Sequence, residues 1–316
     1  QDGNSKGDFY YAPPAGYLAL CTDNLADPSI ALPTEHYNTV AYSGDGTTPR
    51  TLNAGLQPDF TWLKIRTVAW SHRLFDSIRG ANLALYSNSN AVQAAGTSGY
   101  LSGFASTGPT FTGNGADVRD VNETGDTYVT WNWKAGGAPT VDNSAGAGNT
   151  PTAGSVKING SNLGSALAGS IATTRLSANT TAGFSISTYT GNSTAGATIA
   201  HGLSQAPDIA FFKELTYVDN WVSYVEPLGN TKALFLDTEN DAGTHTTYWN
   251  DTSPNATVIT LGTDGKANSS RPHIMYAFHS VEGYSTVGSY SGNSNTDGPF
   301  LFTGFKPAWV LIKCYA

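Results

Sequence analysis

Apolar and polar residues alternate along this chain in short runs that end at turn-forming residues. "FSISTY" (184–189), "TYVTWNW" (127–133) and "IMYAFHS" (274–280) are examples, and a period of two over four to eight residues predicts half-buried strands. The alternation belongs to a longer phrase that occurs three times, beginning at Tyr42, Tyr189 and Tyr290. Each copy ends a strand at Tyr and enters a turn: Ser43-Gly44-Asp45, Thr190-Gly191-Asn192 or Ser291-Gly292-Asn293. Gly followed by Asn or Asp suits a turn that needs positive φ. A short strand follows, then Gly-Leu or Gly-Phe leads to Pro58, Pro207 or Pro307, and six residues later stands Lys64, Lys213 or Lys313.

The residues between that Pro and that Lys are apolar on both faces, which predicts a strand buried on both sides. Proline donates no ladder hydrogen bond and fits the strand's first position. The lysine marks the strand's exit, its stem buried and its ammonium in water. After the lysine the first two copies continue in parallel, with turns at Gly80 and Gly229, and close on an aromatic strand. This predicts an all-β chain of tandem β-sandwich-like repeats of roughly 100 residues, the spacing of short strands in sandwiches. The expected divisions are 1–36, the end of a preceding domain or a linker arm; 37–134, the first repeat; 135–182, a linker or arm; 183–283, the second repeat; and 284–316, a partial third repeat. The joining segment is rich in Gly, Ala, Ser and Thr, yet its branched residues could add an edge strand. A lone pair of strands cannot bury its own face. The third copy is therefore expected to complete a neighbouring sheet or to continue in the natural polypeptide.

Composition narrows the functional classes. Charged residues make up 13% of the chain, and 35 Gly and 16 Tyr accompany abundant Ser, Thr and Asn. Such a mixture favours turns and strands over helices and is common in secreted, surface or virion proteins. A net charge of −8 without a basic stripe argues against nucleic-acid binding. No run of about eighteen apolar residues exists to enter a membrane. Nor is there a phosphate-binding loop, a dinucleotide fingerprint or a zinc-type Cys/His spacing, so no cofactor is expected. Cys21 and Cys314 lie at opposite ends and are read as two isolated thiols.

Candidate chemistry is sparse. His36, His72, His201, His245, His273 and His279 show no metal-ligand spacing, and His201 is read as an exposed or turn histidine. Asp237, Glu239 and Asp241 alternate as at the start of a calcium loop, but the later glycine and glutamate are missing. Glycoside hydrolysis needs two carboxylates across a cleft; Asp117, Asp120, Glu123, Asp126, Asp237, Glu239 and Asp251 all fall in turn-rich polar segments. Asn122, Asn179, Asn192, Asn250, Asn255 and Asn268 form sequons of the kind an Asn/Ser/Thr-rich chain carries by chance. Trp70, Trp221 and Trp249 stand beside polar or turn residues, in "VAWSHR", "VDNWVS" and "TYWNDT". Those three are the candidates for stacking on a glycan, with packing at the sandwich ends as the alternative.

Some of the phrases resemble a known family. "GDFYYAPPAGYLALCTDNL" (7–25) is similar to the end of a lectin-like SPRY or concanavalin-type domain. "PTAGSVKINGSNLGSALAGSIATTRLSANTTAGFSISTYTGN" (151–192) and "VEGYSTVGSYSGNSNTDGPFLFTGFKPAWVLIK" (281–313) resemble repeats of tail fibre or tail spike proteins of marine tailed phages. The resemblance implies a non-enzymatic virion structural protein, extracellular on the particle, contributing to host attachment. Its expected partners are copies of itself, as a homotrimer, other virion proteins and a host surface glycan. A capsid-decorating or cell-surface adhesive protein, and a polysaccharide-degrading spike, are the alternatives.

Overall fold

A computed structural model describes residues 1–24, 28–113 and 117–315; positions 25–27, 114–116 and 316, in the N-terminal, first-repeat and third-repeat segments, lie outside the described residues. The first repeat contains β1 (Tyr37–Ser43), β2 (Arg50–Thr51), β3 (Phe60–Ile65), β4 (Arg73–Asp76), β5 (Leu83–Ala84), β6 (Ala94–Ala95), β7 (Tyr100–Ala105), β8 (Gly108–Thr112) and β9 (Thr127–Trp133). The joining segment adds β10 (Val156–Ile158), β11 (Ser161–Asn162) and β12 (Thr173–Asn179). The second repeat contains β13 (Phe184–Thr190), β14 (Ala197–Ala200), β15 (Ile209–Glu214), β16 (Val222–Val225), β17 (Lys232–Phe235), β18 (Gly243–Thr244), α1 (Thr246–Trp249), β19 (Val258–Leu261), α2 (Gly265–Asn268) and β20 (Pro272–Phe278).

The repetition in sequence is a repetition in topology. One sheet runs β1-β9-β3-β4, and the larger sheet contains β13-β20-β15-β16 in the corresponding order. Trp133 of β9 is in register with both Tyr37 and Phe60, as Phe278 of β20 is with both Phe184 and Ile209. The phrase's two strands, β1 and β3 or β13 and β15, never pair with each other. In each repeat the closing strand, β9 or β20, lies between them.

Both faces of these sheets are covered, for two different reasons. Outward, Leu63, Ile65, Phe75 and Tyr128 pack with Leu52, Leu101 and Phe111 of the small β2-β8-β7 sheet. The second repeat does the same with Ala210, Phe212 and Met275 against Ile199, Tyr248, Trp249 and Ile259. Inward, the two repeats stack face to face: Phe60, Trp62, Leu74 and Trp133 meet Phe184, Ile186, Phe211, Trp221 and Tyr276 in one cluster. Phe60 lies 4.7 Å from the Tyr276 ring and 5.9 Å from that of Phe184. Each such side chain taken out of water contributes about 1.5–3 kcal/mol. Repeat-on-repeat stacking is thus why β3 and β15 read as apolar on both faces.

Within this seam a polar group crosses from one repeat to the other. The Tyr276 hydroxyl donates to Asp76 Oδ2 at 2.7 Å, and Arg79 Nε donates to the same oxygen at 2.7 Å. The Arg79 and Asp76 side chains are 2% and 0% exposed, so each charge is balanced where water is excluded. The joining segment acts as an arm of the second repeat. Its β12 pairs antiparallel with β13, and β10 pairs parallel with β12.

The repeated turn has a different basis from the positive φ its sequence suggests. Positive φ falls on Gly46 and Ser193, two residues after Gly44 and Gly191. Gly44 and Gly191 are required by close approach: a Cβ there would collide with the carbonyl oxygens of Glu123 and Ser269. The residue before each of these carbonyls is a buried asparagine that clamps the turn. Asn122 Oδ1 accepts from Asp45 N–H at 3.3 Å and its amide donates to Thr47 O at 2.8 Å. Asn268 repeats this with Asn192 N–H at 2.9 Å and Thr194 O at 3.0 Å. The motif tyrosines complete the clamp, Tyr42 donating to Val121 O and Tyr189 to Ala267 O, each the residue before the asparagine. Asn122 and Asn268, 1% and 0% exposed, are therefore clamps and not surface sequons.

His201 is buried at 0% exposure, contrary to the expected exposed position. Its Nδ1 accepts from Leu203 N–H, so Nε2 carries the proton toward Asn255 O, 3.0 Å away. Burial lowers its pKa from 6.5 to about 4.

Two predictions follow from these placements. Gly44→Ala or Gly191→Ala is expected to cost about 1–3 kcal/mol by overpacking, measured by denaturant unfolding. The unfolded chain protonates His201 near pH 6.5 while the folded one resists until about 4. The contribution is therefore complete above 6.5 and falls by roughly 3 kcal/mol as pH drops to 4. His201→Gln should flatten the stability–pH curve in that window by this amount, whatever the carboxylates add to both curves.

Candidate functional site

The loops leaving the two buried strands expose aromatic side chains next to organised polar groups. In the first repeat the Lys64 ammonium folds back on the loop it precedes, donating to the carbonyls of Ile65 at 2.6 Å, Val68 at 3.2 Å and Trp70 at 2.8 Å. In the second, Lys213 Nζ donates to Glu214 O at 2.8 Å and the residue is 0% exposed, so that ammonium is not in water as its sequence position suggested. Burial lowers the pKa of both amines. Lys64 anchors its loop, whereas Lys213 caps the end of its own strand.

Trp70 projects from the anchored loop at 39% exposure. The Arg73 guanidinium carbon lies 5.9 Å from its ring and 6.0 Å from that of Tyr86, and Arg73 pairs with Asp120 at 2.7 Å. Asn88 borders the same loop, donating to Ser71 Oγ and accepting from His72 N–H. His72 Nδ1 accepts from Trp62 Nε1 at 2.8 Å, and its ring stacks on Trp131. Burial, aided by the Lys64 charge, lowers the His72 pKa and keeps the ring neutral.

The loop between β15 and β16 joins this surface through the segment 86–93. Asn90 O accepts from Asp219 N–H, and Leu215 O accepts from Gln93 N–H, both at 3.2 Å. Here Tyr217 and Val218 are 52% and 57% exposed, and the Arg271 guanidinium carbon sits 4.3 Å above the Tyr217 ring. Aromatic faces backed by cations and edged by amides and hydroxyls can stack on a ring and hydrogen-bond its substituents.

The other two tryptophan candidates are not part of this surface. Trp221 and Trp249 are both 0% exposed, with their indole N–H groups donating to Tyr86 O at 2.9 Å and Lys232 O at 2.8 Å. They fill the seam and the second repeat's own core, because the small layer and the facing repeat cover what looked like sandwich ends. The acidic triplet also separates in role. Asp237 accepts from Asn220 Nδ2 and Trp221 N–H, both at 3.1 Å, while Glu239 and Asp241 are exposed. No group of three potential metal ligands comes together among the described residues. Of the carboxylates considered for hydrolysis, Asp120 pairs with Arg73, Asp117 with Arg119 at 2.7 Å, and Asp126 accepts from the Thr67 hydroxyl at 2.6 Å. Tyr217 escaped sequence reasoning, and its signal was an aromatic residue four positions after the repeated lysine.

One family model matches the chain over residues 32–165 and again over 142–316, and its description is a domain of unknown function, DUF7483. The chain belongs to this family. No curated protein and no solved structure matches it. The first DUF7483 match takes in β1 to β11, and the second takes in β10 to β20 together with the third copy of the phrase; each contains one closing strand, β9 or β20.

The tryptophans can be separated by stability. Trp221→Ala and Trp249→Ala should each cost about 3–5 kcal/mol, as large core truncations do. Trp70→Ala should stay within about 0.5 kcal/mol of the parent in the same urea titration.

Proposed function

We propose that this chain is a non-enzymatic structural protein of a phage virion, part of a tail fibre or spike, that contributes to attachment at the host surface. The observation that carries the reading is the joint loop surface of Trp70, Asn88 and Tyr217, exposed at the end of two stacked β repeats. Binding, and not bond cleavage, fits side chains that offer stacking faces and amides. The ligand class this surface suits is a host surface glycan. Low charge and a β-rich interior support exposure outside a cell, and the resemblance of the phrases at 151–192 and 281–313 to repeats of phage tail proteins supports the virion. Self-association, as a homotrimer, places several such surfaces on one particle and multiplies weak contacts by avidity.

The test combines light scattering with retention of the recombinant protein on host cells. A trimer that is retained, and whose retention falls at least about tenfold in Trp70→Ala or Tyr217→Ala while stability is unchanged, agrees with the reading. A monomer that ignores the cells, or retention indifferent to both substitutions, overturns it; release of reducing sugar from host polysaccharide would favour a degrading spike.

A further inference from the structure

The loop that follows the buried strand has the same length in both repeats. Leu63 is in register with Arg73 and Phe212 with Val222, so the loops 64–72 and 213–221 match residue for residue. Their exposed rings do not match. Trp70 stands where the second loop has Asp219, and Tyr217 stands where the first has Val68. Two repeats that each held a ligand independently would carry the ring at the same position of both loops. Here each loop lacks the ring that the other supplies.

The segment 87–90, Ser-Asn-Ser-Asn, joins the two loops. Asn88 is bonded to the loop of Trp70, through Ser71 Oγ at 3.3 Å and His72 N–H at 3.2 Å. Asn90 is bonded to the loop of Tyr217, its carbonyl accepting from Asp219 N–H at 3.2 Å. Both asparagines are exposed, while Ser87 is buried and Ser89 turns its hydroxyl to Ala91 N–H. The Asn90 amide makes no hydrogen bond among the described residues, and the Asn88 amide keeps one N–H to spare. Two amides therefore lie between two unlike rings. Arg73 and Arg271 stand against those rings and are themselves paired with Asp120 and Glu214.

We propose that the two loops and segment 87–90 form one composite site per chain for an oligosaccharide of at least two sugar rings. One ring stacks on Trp70 and another on Tyr217, and Asn88 and Asn90 hydrogen-bond the hydroxyls between them. The inference rests on the glycan-attachment reading. It adds that the ligand is a run of linked sugars, that both repeats are needed to hold it, and that Asn90 takes part. Linkage matters because the second stacking contact becomes intramolecular once the first is made, so a run of sugars binds far more tightly than the same sugars apart. An indole offers a larger face than a phenol, so the two ends of the site differ and the run is held in one direction.

The experiment titrates the chain of residues 1–316 calorimetrically with host surface polysaccharide that has been cut by mild acid and separated by size. One equivalent of the longer fragments should bind per chain, at least about tenfold more tightly than single sugars from the same digest. Trp70→Ala and Tyr217→Ala should each weaken the longer fragments about tenfold and leave the stoichiometry at one. Asn90→Ala should weaken them about threefold to tenfold without moving the urea midpoint, because that amide has no partner within the chain. Two equivalents per chain, falling to one in either aromatic variant with the remaining affinity unchanged, would mean two separate sites and overturns the proposal. Single sugars that bind as tightly as the fragments overturn it as well, and both of these results leave the glycan reading standing. Fragments that fail to bind at any size overturn the glycan reading and the composite site together.

Discussion

Everything in this molecule depends on the closing strand of each repeat. β1 and β3 share no hydrogen bond, and neither do β13 and β15; β9 and β20 supply the ladder to both sides. The constraint is steep because backbone groups buried without partners are costly, and β1 has its ladder from β9 alone. The asparagine just upstream of the closing strand extends that dependence to the turn. Asn122 and Asn268 grip the Tyr-turn phrase from positions just upstream of β9 and β20. Sheet order and turn geometry are thus two readouts of one long-range contact.

The same contact organises the packing between repeats. Trp133 and Tyr276 belong to the closing strands, and they carry most of the seam's aromatic contacts. Tyr276 also brings the hydroxyl that meets Asp76 and, through it, Arg79. A buried carboxylate with two donors is tolerated where a lone one would not be, which fixes how the two sheets are aligned as well as that they adhere. With the inward faces used for stacking and the outward faces covered by small layers, the loops at the strand ends are left to carry exposed aromatic residues. Lys64 is the device that holds one of these loops in shape, using an ammonium to satisfy three carbonyls no ladder reaches.

The sequence by itself determined the all-β class, the repeat, its Pro-to-Lys buried strand and the turn positions at Gly80 and Gly229, all of which are local patterns of period and turn chemistry. It also marked Trp70 as a tryptophan beside polar neighbours. What it could not separate was Trp70 from Trp221 and Trp249, because a polar neighbour in sequence says nothing about which layer lies above the ring. Similarly, Gly44 looked like a turn glycine and Asn122 like a chance sequon, although they are opposite halves of one contact. Residues so far apart in sequence are brought together by the closing strand, and only the tertiary structure decided that pairing. The third copy makes the division plain: the same local pattern is written at 285–291 and 309–314, and without the strand between them it stays unformed, because strand structure is stabilised across the ladder and not along the chain.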